Sequence, residues 1–340
     1  MIGAGMVAST YVDAIGRLPG VYLRGVLARR PESAQRLLDR HDLRGVRVYQ
    51  TIEEVCGDDG AEAAIVATPP DQRRSVVESL SAAGKHILME KPVERSLAAA
   101  EELCDICESA GVTLGITLQH RAKTVVGDLR ELIETDRLGR LAAAEVSVPW
   151  WRPQAYYDEA GRGTYGRDGG GVLITQAIHT LDLALSFTGP LTAVTALSAT
   201  TSAHSMESED FVVAGLEFDS GAVGSLFAST ATFPGRPETI RLHYAAGTAT
   251  MRSTTLTVEW HDGTVDSFGA RSTTGSGADP MAFSSDLHLA VLADFVEAIT
   301  TGREPLVSGR AALQVHRAIE MIERSGRSRH REPLTVGGPP

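Results

Sequence analysis

At 340 residues, 43% hydrophobic and 22% charged, the chain has the profile of a globular protein of about two domains at roughly 150 residues each, which excludes disorder and collagen-like order. A formal net charge of −11 gives no global attraction for polyanions, so nucleic acid is not an expected partner. The longest apolar runs, such as 63–67, fall far short of the ~18–20 residues of a membrane span, no leader pattern opens the chain, and three cysteines, Cys56, Cys104 and Cys107, are too few for a disulfide framework and fit a reducing, cytoplasmic compartment.

The first 120 residues alternate short apolar runs with helical periods. Strands are expected at 22–28, 46–49, 63–67, 86–89 and 113–118, and helices at 6–17, 32–41, 72–83 and 97–110, with Gly84 and Gly111 where helix ends favour a left-handed residue. Such alternation implies right-handed βαβ units and a parallel sheet. A doubly wound sheet needs a strand before its first glycine turn, and only Met1 and Ile2 precede Gly3. The expected explanation is an upstream run that the numbering lacks, which leaves a lost targeting signal open.

From about residue 121 the pattern changes. A helix at 125–134 and a strand at 141–148 lead into a Gly-rich loop and one long helix at about 170–187. Strands follow at 192–199, 210–218, 222–230, 239–244, 248–252 and 256–261, with hairpin turns at Asp219-Ser220-Gly221 and His261-Asp262-Gly263. Helical periods return at 286–300 and 309–324. Runs of strands with few helices predict a largely antiparallel sheet.

Gly3-Ala4-Gly5-Met6-Val7-Ala8 fits G-x-G-x-x-G/A. The first glycine permits the tight turn, the second lets backbone approach a pyrophosphate, and the small third residue lets the helix pack on the sheet. NAD sites place an acid about 20 residues on, to bind the ribose hydroxyls; here the strand end reads Ala28-Arg29-Arg30. A guanidinium there pairs with a 2′-phosphate, so the residues favour NADP, with NAD second if the arginines are merely solvated. Thr68-Pro69 ends one strand and Glu90-Lys91-Pro92 the next, at the edge where such folds bind ligands. Lys91 there could hold a substrate hydroxyl, although a surface lysine before proline is common.

In Gly169-Gly170-Gly171 to Asp182, a period of about 100° puts Ile174, Ile178, Leu181 and Leu185 on one stripe and Thr175, His179, Asp182 and Ser186 on another. That pattern takes His179 out of the packing stripe. A histidine, with its ordinary pKa of ~6.5, suits proton exchange with an alcohol or ketone; the competing reading is a core histidine satisfied by a neighbour. Trp150-Trp151-Arg152-Pro153 with Tyr156-Tyr157 offers rings for stacking on a sugar or for packing. Cys104 and Cys107 read as structural, and no cluster has metal-ligand spacing.

With the glycine turn, Glu90-Lys91-Pro92 and the Gly169-Gly170-Gly171 to His179 segment in order, the chain resembles the glucose-fructose oxidoreductase, inositol dehydrogenase and rhizopine-catabolism family, Gfo/Idh/MocA. Further stretches with this likeness are Glu209-Asp210, Phe218 to Gly221, Gly247-Thr248-Ala249, and Asp294-Phe295 through Pro305. The resemblance implies an α/β protein: a Rossmann domain at 1–120 and a substrate-binding and oligomerisation domain at 121–340, whose open sheet often forms the interface of a homodimer or homotetramer. It places Gly3, Gly5, Met6, Val7, Ala28, Arg29, Arg30, Thr68, Pro69, Glu90 and Lys91 at the cofactor, makes Lys91 and His179 catalytic, and adds Gln119, Trp151, Arg152, Thr175 and Gln176 as substrate contacts. Many members carry Asp four residues before the histidine, where this chain has Thr175 followed by Gln176. The Asn-Gln pair of relatives acting on UDP-N-acetylglucosaminuronic acid is nearer to that.

The implied activity is NAD(P)-dependent hydride transfer on a sugar, sugar nucleotide or cyclic polyol. Two alternatives stand beside it: dehydrogenation of an aromatic cis-dihydrodiol on the Trp151 and Tyr156 cluster, and a non-catalytic cofactor-binding sensor on the same fold.

Overall fold

In a computed structural model, which describes residues 1–270 and 284–334, the first 122 residues alternate strand and helix. The strands are β1 (Gly25–Leu27), β2 (Arg47–Tyr49), β3 (Ala63–Val66), β4 (His86–Glu90) and β5 (Leu114–Thr117). The helices are α1 (Ala8–Arg17), α2 (Pro31–Arg40), the short α3 (Ile52–Cys56), α4 (Arg73–Ala82) and α5 (Leu97–Ser109). β1 pairs with β2, and β3 with β4 and β4 with β5, all parallel.

Ile2 joins these two groups. It bridges Leu27 of β1 and Val66 of β3, parallel to both. Ile2 N donates to Ile65 O at 2.8 Å and Ile2 O accepts from Ala67 N at 2.8 Å; on the other side Leu27 N donates to Met1 O at 2.9 Å and Gly3 N to Leu27 O at 2.8 Å. Met1 and Ile2 therefore occupy the central strand position for which the sequence shows almost no residues, and the spatial order is β2-β1-(Met1–Ile2)-β3-β4-β5. The Met1 amine donates to Gly25 O at 2.8 Å, and burial lowers its pKa to about 5.

The chain divides into two units, Met1–Ala122 with Ser284–Leu313, and Lys123–Phe283 with Gln314–Pro340. The helix Asp286–Thr301, which the sequence division puts after residue 121, thus belongs with the parallel sheet. Its apolar stripe explains this: Val291, Leu292 and Phe295 join Tyr11, Val12 and Ile15 of α1 in one core. Phe295 lies so close to Gly115 of β5 that a Cβ there would stand 2.8 Å from the ring.

The second unit is built on a nine-stranded open sheet. Its strands are β6 (Leu141–Pro149), β7 (Leu191–Ala199), β8 (Phe211–Phe218), β9 (Val223–Ser229), β10 (Thr239–Tyr244), β11 (Gly247–Arg252), β12 (Thr255–Trp260), β13 (Val265–Gly269) and β14 (Glu332–Pro333), in the order β13-β12-β11-β10-β6-β9-β8-β7-β14. β6 and β9 run parallel and every other pair is antiparallel. One face buries Val212, Leu216, Leu226, Ile240, Leu242, Leu256 and Val258. The other leaves Leu197, Val213 and Phe227 in register at least partly open to solvent, as alternation requires. α6 (Thr124–Glu134) precedes the sheet, α7 (Gln154–Tyr157) follows β6, and α8 (Ile178–Thr188) packs against β6 and β10. Among the described residues no helix is long and apolar enough to cross a membrane.

The turn after Ile2 requires glycine twice over. Gly3 sits at φ +103°, and a Cβ there would lie 2.7 Å from Ala67 O. Gly3→Ala is expected to cost ~1–3 kcal/mol, the usual range for such backbone strain, read as a lower urea midpoint at unchanged m; an unmoved midpoint would show that the turn relaxes.

Candidate functional site

In the first unit, the glycine turn opens onto empty space. A Cβ on Gly5 meets nothing within 4 Å, Met6 is half exposed, and the start of α1 has neither a side-chain cap nor an acid in its first turn. Its N–H groups and positive dipole end suit a phosphate, so the residues fit a dinucleotide. At the end of β1, Ala28 is half-buried and Arg29 and Arg30 are exposed; the nearest acid in sequence, Glu32, lies in the first turn of α2.

Thr68 and Pro69 leave β3, and Lys91 leaves β4, half-buried and joined to Pro92 by a cis peptide. The Glu90 carboxylate is buried. Tyr11 Oη donates to it at 2.7 Å and lies 2.7 Å from Thr117 Oγ1, while His288 Nε2 stands 3.7 Å from it. Burial pushes its pKa up, but His288, Tyr11 and Lys91 outweigh that and hold it below the usual range. Gln119 opens the turn Gln119–Ala122, half-buried.

In the second unit, the expected single helix begins with a π-turn, Leu173–Ala177, and becomes α-helical only from Ile178. π-turns accompany functional positions and widen the helix locally. Here the wider turn re-aims Thr175 and Gln176 relative to His179, and of the polar strip read at 100° per residue His179 and Asp182 are buried, 7% and 0% exposed, while Thr175 and Ser186 are part-buried. Two anchors hold the segment. Glu209 accepts from Gly171 N and Leu173 N, both at 3.1 Å, through its carboxylate, and from Val172 N at 2.8 Å through its carbonyl. A Cβ on Gly171 would lie 1.8 Å from Glu209 O, so only glycine fits.

The aromatic segment forms one cluster in this unit. Trp151 meets Phe233 edge-on at 5.5 Å, Tyr157 meets His204 at 4.7 Å and Tyr156 at 5.0 Å, and the Arg162 guanidinium covers the Tyr156 ring at 4.1 Å. Gln176 Nε2 lies 3.4 Å from Tyr156 Oη, which brings the cluster to the π-turn. His204, buried, pairs with Asp210 at 2.7 Å and contacts Arg152 O at 2.8 Å. Arg152 is 2% exposed, with Nη1 donating to Trp151 O at 2.8 Å.

Sequence reasoning missed several of these groups. Glu209-Asp210 lay in a stretch that carried the family likeness, but nothing in the local pattern marks Tyr11, His204, His288 or the buried Arg73. Burial pushes the Cys104 and Cys107 thiols up, Cys104 to about 12. Among the described residues no group of three His, Cys, Asp or Glu side chains is arranged to hold a metal ion.

Two family profiles match the chain: an oxidoreductase family with an NAD-binding Rossmann fold over residues 1–118, and a GFO/IDH/MocA C-terminal domain over residues 126–250. The chain is 30% identical to the 1,5-anhydro-D-fructose reductase of Ensifer adhaerens over 227 residues, 66% of each. It spans 45% and 40% of the length of two uncharacterized oxidoreductases of Schizosaccharomyces pombe, so across these three curated relatives the share matched runs from under half to about two-thirds. Among solved structures it is similar to the WlbA dehydrogenase of Bordetella pertussis in complex with NADH and UDP-GlcNAcA, with 27% identity, a TM-score of 0.83 and 99% and 98% of the two chains covered. The fold is also that of a levoglucosan dehydrogenase in complex with NADH and levoglucosan, at 19% identity and TM-score 0.86, covering 98% of each chain.

Beneath the glycines, Glu323 carries a testable charge. A Cβ on Gly170 would stand 3.1 Å from its Oε1, and burial, then the Glu209 carboxylate, push its pKa up to about 7. A carboxyl raised in the fold stabilises fully below its unfolded pKa and loses that contribution as pH rises through 7. Glu323→Gln should therefore match the parent near pH 4.5 and exceed it by on the order of 2 kcal/mol at pH 8. Parallel stability profiles in urea at both pH values would rule this out.

Proposed function

The chain belongs to the Gfo/Idh/MocA oxidoreductase family, and from that membership we propose that it is an NAD(P)-dependent dehydrogenase or reductase acting on a CH–OH or carbonyl carbon of a sugar, sugar nucleotide or cyclic polyol. The observation that carries the reading is the uncapped start of α1 behind Gly3 and Gly5, in a parallel sheet whose next strand ends present Thr68 and Lys91. A bound nicotinamide supplies or accepts the hydride. Gly3, Gly5, Met6 and Val7 would hold the pyrophosphate, Ala28, Arg29 and Arg30 the adenosine ribose, and Thr68, Pro69, Glu90 and Lys91 would line the nicotinamide side. Lys91 orients and polarises the substrate oxygen, and His179 takes up its proton on oxidation and returns it on reduction. Gln119, Trp151, Arg152, Thr175 and Gln176 bind the remaining hydroxyls. The UDP-sugar in the WlbA complex, together with Thr175-Gln176 in place of an Asp, favours a sugar nucleotide.

The NADH of the neighbouring structures belongs to those proteins. For this chain we favour NADP, because two exposed arginines and no carboxylate stand at the end of β1. The half-apolar open face of the nine-stranded sheet, with Leu197, Val213 and Val223 exposed, supports a homodimer or homotetramer, which light scattering reads directly. The three cysteines are free, in keeping with a cytoplasmic protein.

Arg29→Ala should weaken NADPH binding by ~1–3 kcal/mol, the range for hydrogen bonds to charged groups, and leave NADH untouched; tighter NADH than NADPH binding by the parent overturns the preference. A screen of sugars, UDP-sugars, cyclitols and dihydrodiols at the reduced-nicotinamide band identifies the substrate. With it, His179→Ala should lower turnover by ~10²- to 10⁴-fold with cofactor affinity retained, and Lys91→Met should also damage it. Normal turnover and an unchanged pH profile in His179→Ala would make the histidine structural, while cofactor binding without turnover on any substrate would favour a sensor.

A further inference from the structure

We propose that Arg73 is the positioning residue for Lys91, an inference that rests on the catalytic reading of Lys91 above. Arg73 opens α4, directly after the loop that leaves β3, and is only 2% exposed. All three of its nitrogens donate to main-chain carbonyls. Nε and Nη2 reach Thr68 O at 3.1 and 2.8 Å; Nη1 reaches Glu90 O at 2.5 Å, Val93 O at 3.3 Å, and Pro92 O. One guanidinium thus ties the loop after β3 to the peptide carbonyls on both sides of Lys91.

Taking that cation out of water is costly, and a surface helix start needs no such group. Burial lowers its pKa only to about 10, with Glu90 and Glu94 opposing the fall, so it remains charged at neutral pH. Its partners are carbonyls with no strong individual pull, so the return lies in geometry. Only the rigid five-donor fork spans two loops at once; a lysine ammonium in its place reaches one. From the other side the Glu90 carboxylate is fixed by Tyr11 and His288. The residue before Lys91 is therefore held through its side chain and its carbonyl together.

The chain contains three lysines, Lys85, Lys91 and Lys123, so selective nitrogen-15 lysine labelling gives three backbone amide signals. Arg73→Lys adds one, and Arg73→Met adds none. In the unaltered protein the Lys91 amide should be rigid, with an order parameter of ~0.85, and in both variants it should fall toward ~0.6 while Lys85 and Lys123 stay unchanged. On the substrate found by the screen, kcat should fall at least ~10-fold with KM changing less than about threefold, since an ångström of misplacement costs up to 10²-fold, and Arg73→Lys should retain more activity than Arg73→Met. Folded variants with unchanged Lys91 order and unchanged kcat overturn the proposal. Should neither variant fold, the unaltered protein decides: a Lys91 amide already below ~0.6 overturns it, and a rigid one supports it. Lys91→Met separates the two readings, because full turnover there removes the catalytic role of Lys91 itself, whereas lost turnover there beside active Arg73 variants removes only the clamp.

Discussion

The parallel sheet is completed by main-chain hydrogen bonds from Met1, Ile2 and Gly3, shared between β1 and β3. Without them the β1–β2 pair and the β3–β4–β5 group have no common neighbour in the sheet. Everything proposed for the dinucleotide follows from that join. It sets Gly3 against Ala67, fixes the direction in which α1 departs, and brings the ends of β1 and β3 to either side of the turn. Ile2 is 3% exposed, so apolar burial reinforces the backbone pairing.

Loops that carry candidate chemistry are held in both units by buried polar groups. Arg73 and the Glu90 network secure the ends of β3 and β4; Glu209 secures the π-turn, and Asp210 fixes His204 beside the aromatic cluster. The charges of Arg73, Glu90, Glu209 and Asp210 are each matched by donors or acceptors, as the cost of leaving one uncompensated demands. Hydrogen bonds are directional where apolar packing is not. A loop pinned this way has one conformation to offer a ligand, which lowers the ordering cost of binding.

What could be read in advance was whatever has a period or a local motif. The parallel strands, the largely antiparallel second sheet, the glycine turn and the segment leading to His179 all announce themselves within a few residues. β13, β14, α3 and α7 did not; Met1–Ile2 is two residues, below any periodic signal. The π-turn was invisible because a fixed 100° step presupposes the α-helix. The return of Asp286–Thr301 to the first unit depends on contacts with α1 and Gly115 far away in sequence. Arg73 and Arg74 show the limit most clearly: adjacent and chemically identical, one is buried among carbonyls and the other lies exposed with Glu78 and Glu102. Only the phase of α4 against the sheet separates them.

The use of lysine itself bears on chemistry. Arginine is this chain's default surface cation, as at the exposed Arg44, Arg74 and Arg331. Its three lysines lie elsewhere: Lys85 and Lys123 are buried, donating to Asp58 O at 3.0 Å and Glu238 at 2.9 Å, and Lys91 is half-buried. A surface lysine before proline is an ordinary occurrence in a lysine-rich chain, and that ambiguity attends Lys91 when the dipeptide is read alone. In a chain that otherwise places arginine at its surface, the ordinary explanation loses its basis. A guanidinium is a planar fork of donors, whereas an ammonium is a compact point charge on a flexible stem. A lysine at residue 91 thus suits the role proposed for it, orienting and polarising a substrate oxygen.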